Sequence, residues 1–153
     1  VAEQRVLEWV ERMAMFCAEE YGVPPIAGRI LGWLMICDPP EQSAGQIAAA
    51  IGASKASLAT NMRLLTEAKF VRRRSRPGER THYYQVDDNA WETVVRRRLA
   101  GLAGFRDLAA DGMALAGAGS DRAERLRVAH DVYDWMVRLF AETPRPPAAG
   151  KKQ

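Results

Sequence analysis

Residues 43–86 restrict the fold more than any other part of the chain. Ser43 and Gln46 stand three apart, as a capping box requires. The Ser43 hydroxyl satisfies a first-turn N–H while the Gln46 side chain reaches back to the cap. Ile47, Ala48 and Ile51 give this short helix an apolar face, and Gly52 supplies the positive φ of a sharp stop. Ser54 caps the next helix only two positions later. That helix, over about 55–69, carries Leu58, Met62, Leu65 and the stem of Lys69 on one stripe, counting about 100° per residue. Phe70 and Val71 follow, then Arg72, Arg73, Arg74 and Arg76, the turn signal Pro77-Gly78, and a stretch of strand composition, Thr81-His82-Tyr83-Tyr84-Gln85-Val86. Two capped helices closed by a basic hairpin are the sequence form of a winged helix-turn-helix, which places its second helix in the major groove of DNA.

The other side of the second helix carries Ala56, Thr60, Arg63 and Glu67, flanked by Ser57, Ala59 and Leu64. Arg63 has the reach to read guanine with two hydrogen bonds, and an alanine methyl suits the thymine methyl. Ser54, Lys55 and the N–H groups at the helix start suit phosphate. Asn61 lies at the edge of the buried stripe, placed either to tie down the turn or to join Ser57, Thr60 and Arg63 at the bases. Leu64 is expected to fold against the hairpin or another helix. On the hairpin, Arg72 and Arg74 are candidate DNA contacts. Arg76 and Arg80 sit where a wing enters the minor groove, whose negative potential attracts arginine.

Charge separates DNA from other partners. Residues 54–86 hold eight Lys or Arg against Glu67 and Glu79, a net of +6, while the whole chain is only +3. The remainder is therefore −3, and the basicity is concentrated on the element whose form already suggests DNA. An arginine run alone is as often a solvated face, and a basic wing can also dock proteins. The capped helix pair directly before it tips the balance to DNA.

At 153 residues, with 48% hydrophobic and 27% charged content, the chain is long enough for one globular unit with its own core. No apolar run reaches the length of a membrane span and no secretory signal is visible. Cys17 and Cys37, both in apolar helical surroundings, suit a reducing cytoplasm. His82 and His130 are the only histidines. Without metal-ligand spacing, a Gly-rich phosphate loop or a nucleophile–base pair, no metal, cofactor or enzymatic activity is expected.

Outside the DNA unit the pattern is helical. Residues 3–20 carry Val6, Trp9, Val10, Met13, Phe16 and Cys17 at helical spacing. Residues 25–37 are apolar nearly all round and so expected to be buried. Asp87-Asp88-Asn89 caps a helix to about 116, with Trp91, Val94, Val95, Leu102, Phe105, Leu108 and Met113 on one stripe. Gly101, Gly104 and Gly112 in it allow a bend or a close helix crossing. Ser120 or Asp121 opens a last helix bearing Leu126, Val132, Tyr133, Met136, Leu139 and Phe140. The Pro-rich segment 143–153 reads as a disordered tail. Three long amphipathic segments around a 45-residue DNA unit are best used to make a dimer, since paired recognition helices read a palindrome.

Four segments together resemble the MarR superfamily of transcriptional regulators, and within it the GbsR-like branch. They are 27–34 (Ala-Gly-Arg-Ile-Leu-Gly-Trp-Leu), Cys37-Asp38-Pro39, Ser54-Lys55-Ala56-Ser57 with Asn61, Arg63 and Leu65, and Gly78-Glu79-Arg80 with Tyr83. The likeness extends over 3–142 and is nearest to mycobacterial-type regulators of efflux and lipid transport. It implies a mainly α fold with a small β-wing, a winged helix-turn-helix flanked by dimerisation helices. In that arrangement 1–153 form a single MarR-like unit, with 43–87 the DNA-binding lobe and 1–38 and 88–142 the dimerisation helices. It implies a homodimeric repressor of efflux or transport genes, bound to a palindromic double-stranded operator and released by a small lipophilic ligand. Arg80 matches the wing arginine of the family, with Glu79 where Asp is common and Thr81 where a second Arg often stands. Phe16, Arg29, Trp33, Trp91, Leu102 and Phe105 are candidate ligand contacts. Arg29 can anchor a ligand carboxylate, although a pairing with a carboxylate such as Glu19 or Glu20 is the better use of it. Two other readings remain. Cys17 can serve a thiol-based redox sensor, although its acidic neighbours and apolar stripe argue for inert packing. The chain can also be an architectural DNA-binding protein without a ligand.

Overall fold

The computed structural model describes residues 2–142; the expected tail, 143–153, lies outside the described residues. The elements run α1 (Ala2–Tyr21), α2 (Pro25–Ile36), β1 (Gln42–Ser43), α3 (Ala44–Ile51), α4 (Lys55–Glu67), β2 (Val71–Ser75), β3 (His82–Val86), α5 (Ala90–Ala116) and α6 (Asp121–Ala141). They form two compact units that divide between Ala90 and Trp91.

In the first unit α1 and α2 form an antiparallel pair that depends on glycine. A Cβ on Gly28 would stand 2.8 Å from the Cα of Ala14, and one on Gly32 would stand 3.3 Å from the Cβ of Met13. The absence of side chains there lets the helices meet over Val10, Ala14 and Cys17 from α1 and Ala27, Ile30, Leu31 and Leu34 from α2, all buried. This register also places Arg29 beside Glu11. Its Nη2 donates to Glu11 Oε2 at 3.2 Å and its Nε donates to Oε1, which corrects the expected pairing with Glu19 or Glu20. Those acids lie at the turn end of the pair, out of register with residue 29. The all-round apolar α2 is not buried on every side, because Met35 and Ile36 are exposed. Apolar composition gives no sign of which neighbours a single chain supplies.

The helix-turn-helix follows the local chemistry closely. Ser43 accepts from the Gln46 N–H at 3.2 Å while the Gln46 side chain accepts from the Ser43 N–H at 2.8 Å. Gly52 takes the left-handed conformation at φ 67° and ends α3, and Ser54 accepts from the Ser57 N–H at 3.2 Å to open α4. Leu58, Met62 and Leu65 pack inward with Ile47. Helix α4 stops two residues earlier than expected. The Lys69 N–H donates to the Thr66 carbonyl and the Phe70 N–H to that of Leu65, the paired bonds of a Schellman end. Lys69 therefore occupies, at φ 66°, the left-handed position that usually takes glycine. That geometry turns its side chain out to solvent and off the buried stripe.

The hairpin β2–β3 pairs Val71 with Val86, Arg72 with Gln85, Arg73 with Tyr84 and Arg74 with Tyr83. Its tip is a turn over Arg76–Glu79, closed by the Glu79 N–H donating to the Arg76 carbonyl at 3.1 Å, with Gly78 at φ 78°. Proline at the second position and a positive-φ glycine at the third are the type II signature. A third strand, β1, which the sequence pattern gives no sign of, pairs antiparallel with β3 and makes the order β1-β3-β2.

In the second unit, α5 and α6 are joined through Gly117 and Gly119, both at positive φ. Ser120 is the cap of α6, accepting from the Ala123 N–H at 3.1 Å. The helices meet through Phe105 on Tyr133, with ring centroids 4.3 Å apart, and through Arg106 to Asp134 at 3.4 Å. Gly112 accommodates Leu126, whose Cδ1 would be 3.0 Å from an added Cβ, whereas Gly101 and Gly104 face open space among the described residues of the chain. Among the described residues of this unit only Ala109 and Ala123 are buried.

Candidate nucleic-acid interface

The outer face of α4 is presented as its spacing requires. Lys55, Ala56, Ala59, Thr60, Arg63, Leu64 and Glu67 are exposed, opposite the buried Leu58–Met62–Leu65 stripe. Leu64 stays exposed instead of folding against a neighbour within the chain. Three polar side chains bind their own helix: Thr60 Oγ1 donates to the Ala56 carbonyl at 3.1 Å, Asn61 Nδ2 to that of Ser57 at 2.8 Å and Thr66 Oγ1 to that of Met62 at 2.7 Å. Thr60 thereby keeps only an acceptor oxygen for an incoming base, while Asn61 keeps its amide oxygen and one N–H. Ser54 is engaged as the cap and Ser57 is half-buried. Lys55 and Arg63 are left as the exposed cations of the helix.

The wing arginines separate onto two faces, because alternate residues of a strand point to opposite sides. Arg73 shares a face with Val71 and with its cross-strand partner Tyr84. With Lys55, Leu58, Ala59, Met62, Arg63, Thr66, Glu67 and Tyr84 it lines a groove of about 600 Å³ between α4 and the sheet. Three cations and one carboxylate at the rim of an apolar floor make this a positively charged cleft. Arg73 was absent from the sequence-based candidates; the signal that finds it is its even spacing from Val71, the strand's core residue.

Arg72, Arg74 and Arg76 occupy the other face and are already engaged. Arg72 Nη2 donates to Asp88 Oδ2 at 3.3 Å. Gln85, with its amide turned to satisfy both neighbours, accepts from Arg72 at 2.5 Å and donates to Glu41 at 3.2 Å. The Glu41 carboxylate lies 3.6 Å from Arg74 Nε and 3.5 Å from Arg76 Nη2. The Arg76 guanidinium also covers the Tyr83 ring at 3.7 Å, a cation–π contact, and the Tyr83 hydroxyl donates to Glu79 at 2.7 Å. That bond to Glu79 holds the Tyr83 phenol above its ordinary pKa. Arg80, on the exposed loop after the turn, makes no ion pair or hydrogen bond among the described residues. Widening the charge count from 54–86 to 41–88 adds Glu41, Asp87 and Asp88, and the net of +6 becomes +3. Two of these three acids, Glu41 and Asp88, meet the wing arginines from outside the hairpin.

The six candidate ligand contacts do not form a common site within either unit. Arg29 is held by Glu11, and Trp33 Nε1 donates to Gln42 Oε1 at 3.3 Å. Phe16, Trp91 and Phe105 are exposed, and Leu102 is half-buried. Cys17 is fully buried, and burial pushes its thiol pKa up. That is the reverse of the exposed, electropositive setting a reactive thiolate needs. The described residues contain no group of three or more metal-ligating side chains, and none of the described helices is long and apolar enough to cross a membrane.

Comparison with known proteins agrees with this geometry. A family model described as an MmpR5-like MarR family transcriptional regulator matches residues 89–143. The chain is 35% identical over 142 residues to the HTH-type transcriptional regulator MmpR5 of Mycobacterium tuberculosis, spanning 92% of this chain and 86% of that one. A solved structure described as a transcriptional regulator superposes with a TM-score of 0.66 at 33% identity, over 90% of this chain and 94% of its own. A winged helix with an exposed basic recognition face, matched along nearly its whole length by a regulator of the same architecture, places the chain in the MmpR5-like MarR family of transcriptional regulators, which are DNA-binding proteins and not enzymes.

Proposed function

We propose that this chain is a homodimeric repressor that reads a palindromic operator with α4 and the wing and is released by a small lipophilic ligand. Residues 43–87 act as the DNA lobe. Within it Arg63 reads a base edge, Lys55 and Arg73 hold phosphate, and Arg80 enters the minor groove. The observation that carries this reading is the set of four cations, Lys55, Arg63, Arg73 and Arg80, left without ion pairs on α4 and the wing. Self-association is supported by α5 and α6, which expose Leu108, Leu115, Val132 and Trp135 while burying only three alanines, Ala90, Ala109 and Ala123. Such an apolar surface marks an interaction site, and a second copy of the same helices supplies a matching face. A small lipophilic effector rests on the family likeness. Efflux or transport genes as targets, and a place in the cytoplasm, rest on the family likeness alone.

The test is footprinting of the purified protein across a genomic library, with its own promoter as the first site to inspect. Binding to a recovered site and to random duplex is then compared for Arg63→Ala. A specific regulator prefers its site by about 4–10 kcal/mol, and losing one base contact relaxes that preference by about 1–3 kcal/mol. Equal losses on both duplexes refute a base-reading role for Arg63. An undiscriminating native protein refutes the regulator reading in favour of an architectural one.

A further inference from the structure

The acids that engage the wing arginines are too well placed to be incidental surface pairs. Glu41 immediately precedes β1, whose pairing with β3 fixes its backbone. The next residue, Gln42, is buried, accepts from Trp33 Nε1 and donates to the Pro39 carbonyl at 3.1 Å. Glu41 is therefore anchored through Gln42, whose backbone pairs in the strand and whose buried amide bonds back to Pro39. Its side chain is 27% exposed, against 46% for that of Arg74 and 43% for that of Arg76. Its two oxygens divide between the arginines, Oε1 to Arg74 and Oε2 to Arg76, and Gln85 orients Oε1 further. Both arginines belong to the strand and tip that the DNA-binding reading brings to the duplex.

We propose that Glu41 is a specificity-determining residue. Its carboxylate occupies Arg74 and Arg76 so that the wing contributes little to binding on duplex of arbitrary sequence, and releases them only where the docked recognition helix holds the wing against the backbone. The inference rests on the assignment of α4 and the wing to DNA. Non-specific affinity comes almost entirely from cations that displace counterions from phosphate. An arginine already paired with a carboxylate must give up that pair first, and its net gain from a phosphate is correspondingly small. On a specific site, base contacts made by α4 fix the register, and the exchange from carboxylate to phosphate occurs within an assembled complex. The carboxylate therefore weakens random binding more than specific binding, a discrimination obtained without any contact to a base.

The test compares the native chain with Glu41→Gln, which keeps the shape and removes the charge. Each is titrated by fluorescence anisotropy onto a random-sequence duplex and onto a duplex enriched by in vitro selection with the native protein, across a salt series. Two freed arginines steepen the plot of log affinity against log salt on random duplex by up to about 1.8, and raise random affinity roughly tenfold at low salt. Affinity for the selected duplex rises less, so the ratio between the two falls. In Glu41→Gln combined with Arg74→Gln and Arg76→Gln, the slope returns to the native value or below. An unchanged slope in Glu41→Gln, or an equal gain on both duplexes, overturns the inference while leaving the DNA assignment standing. Weaker binding by Glu41→Gln with an unchanged melting curve also overturns it, since Glu41 is then needed to position the arginines. Failure of the native chain to bind either duplex at low salt overturns the DNA assignment and this inference together.

Discussion

The two-faced wing makes a prediction that separates adjacent, chemically identical residues. Arg73 lines the groove beside α4 and has no ion pair among the described residues, whereas Arg72 is bonded to Asp88 and to Gln85. Replacing Arg73 with Gln removes one cation available to phosphate and no intramolecular bond. The slope of log affinity against log salt then falls by about 0.9. Between about 50 and 200 mM salt, roughly 0.6 in log units, this amounts to about 0.5 in log affinity, so the native protein loses about 3.5-fold more affinity than the variant over that range. Thermal stability stays as it was.

Arg72→Gln behaves in the opposite way. Its ion pair with Asp88 joins side chains that are 36% and 70% exposed, and a pair so open to water contributes at most about 1 kcal/mol. The expected change is therefore a fall of a few degrees in the unfolding midpoint, about 2–4 °C per kcal/mol for a chain of this size, with the salt slope intact. Fluorescence anisotropy over a salt series gives the slopes, and circular dichroism melts give the stabilities. Equal slope losses in the two variants, or a native slope in Arg73→Gln, refute the division of the wing into a face open to phosphate and a face already paired with acids.

Other expectations follow from the packing. Gly28→Ala places a methyl against the backbone of Ala14 at 2.8 Å and is expected to destabilise by about 1–3 kcal/mol; Gly101→Ala, in open space, should stabilise by up to about 1 kcal/mol. Denaturant unfolding of the two variants checks the contrast, and a stable Gly28→Ala refutes the close helix crossing. Cys17, buried with a raised thiol pKa, should resist alkylation in the native protein and react only on unfolding, as mass spectrometry after a maleimide pulse would record. Rapid native labelling of Cys17 reopens the redox reading. Trp135→Glu, on the exposed face of α6, should shift sedimentation toward the monomer, and a native chain already monomeric at high concentration refutes the self-association assigned to that face.

What the sequence discloses depends on how far apart the interacting residues lie. Capping is local: Ser43 with Gln46, Gly52 and Ser54 act within four positions, and α3 and α4 begin where those residues place them. The buried stripe of α4 follows from periodicity alone, and so does the exposed face opposite. Lys69 escaped that reasoning because only the Schellman hydrogen bonds, and not propensity, set it in the left-handed position. The wing charge is hidden from the sequence for a different reason. Arg72–Arg76 form one run in sequence, but the pleat sends Arg73 to one side and Arg72 and Arg74 to the other. The acids that meet them, Glu41 and Asp88, enter from outside the hairpin, one of them just before a two-residue strand too short to leave a pattern. A sum of charges over a window counts ions; it does not say which of them are already spent on each other.

Incomplete burial has a thermodynamic consequence for the second unit. A helix pair that buries only Ala90, Ala109 and Ala123 within the chain lacks the core that stabilises helices of this length, since most helical stability in proteins comes from packing an apolar face. Whatever covers Leu108, Leu115, Val132 and Trp135 therefore contributes to the folding of α5 and α6 as well as to assembly, and stability becomes dependent on protein concentration. With a second copy as that cover, operator binding and self-association are linked by mass action. Only the pair presents two α4 helices to a palindrome, so below the dimer dissociation constant the apparent affinity falls with dilution, and operator DNA in turn drives pairing by the same free energy. An effector that disturbs the α5–α6 face then acts on DNA binding without touching α4 or the wing. This predicts that operator titrations performed at falling protein concentration become steeper than a single-site curve. Trp135→Glu should bring on that steepness at higher concentration, whereas Arg63→Ala weakens binding without altering its order.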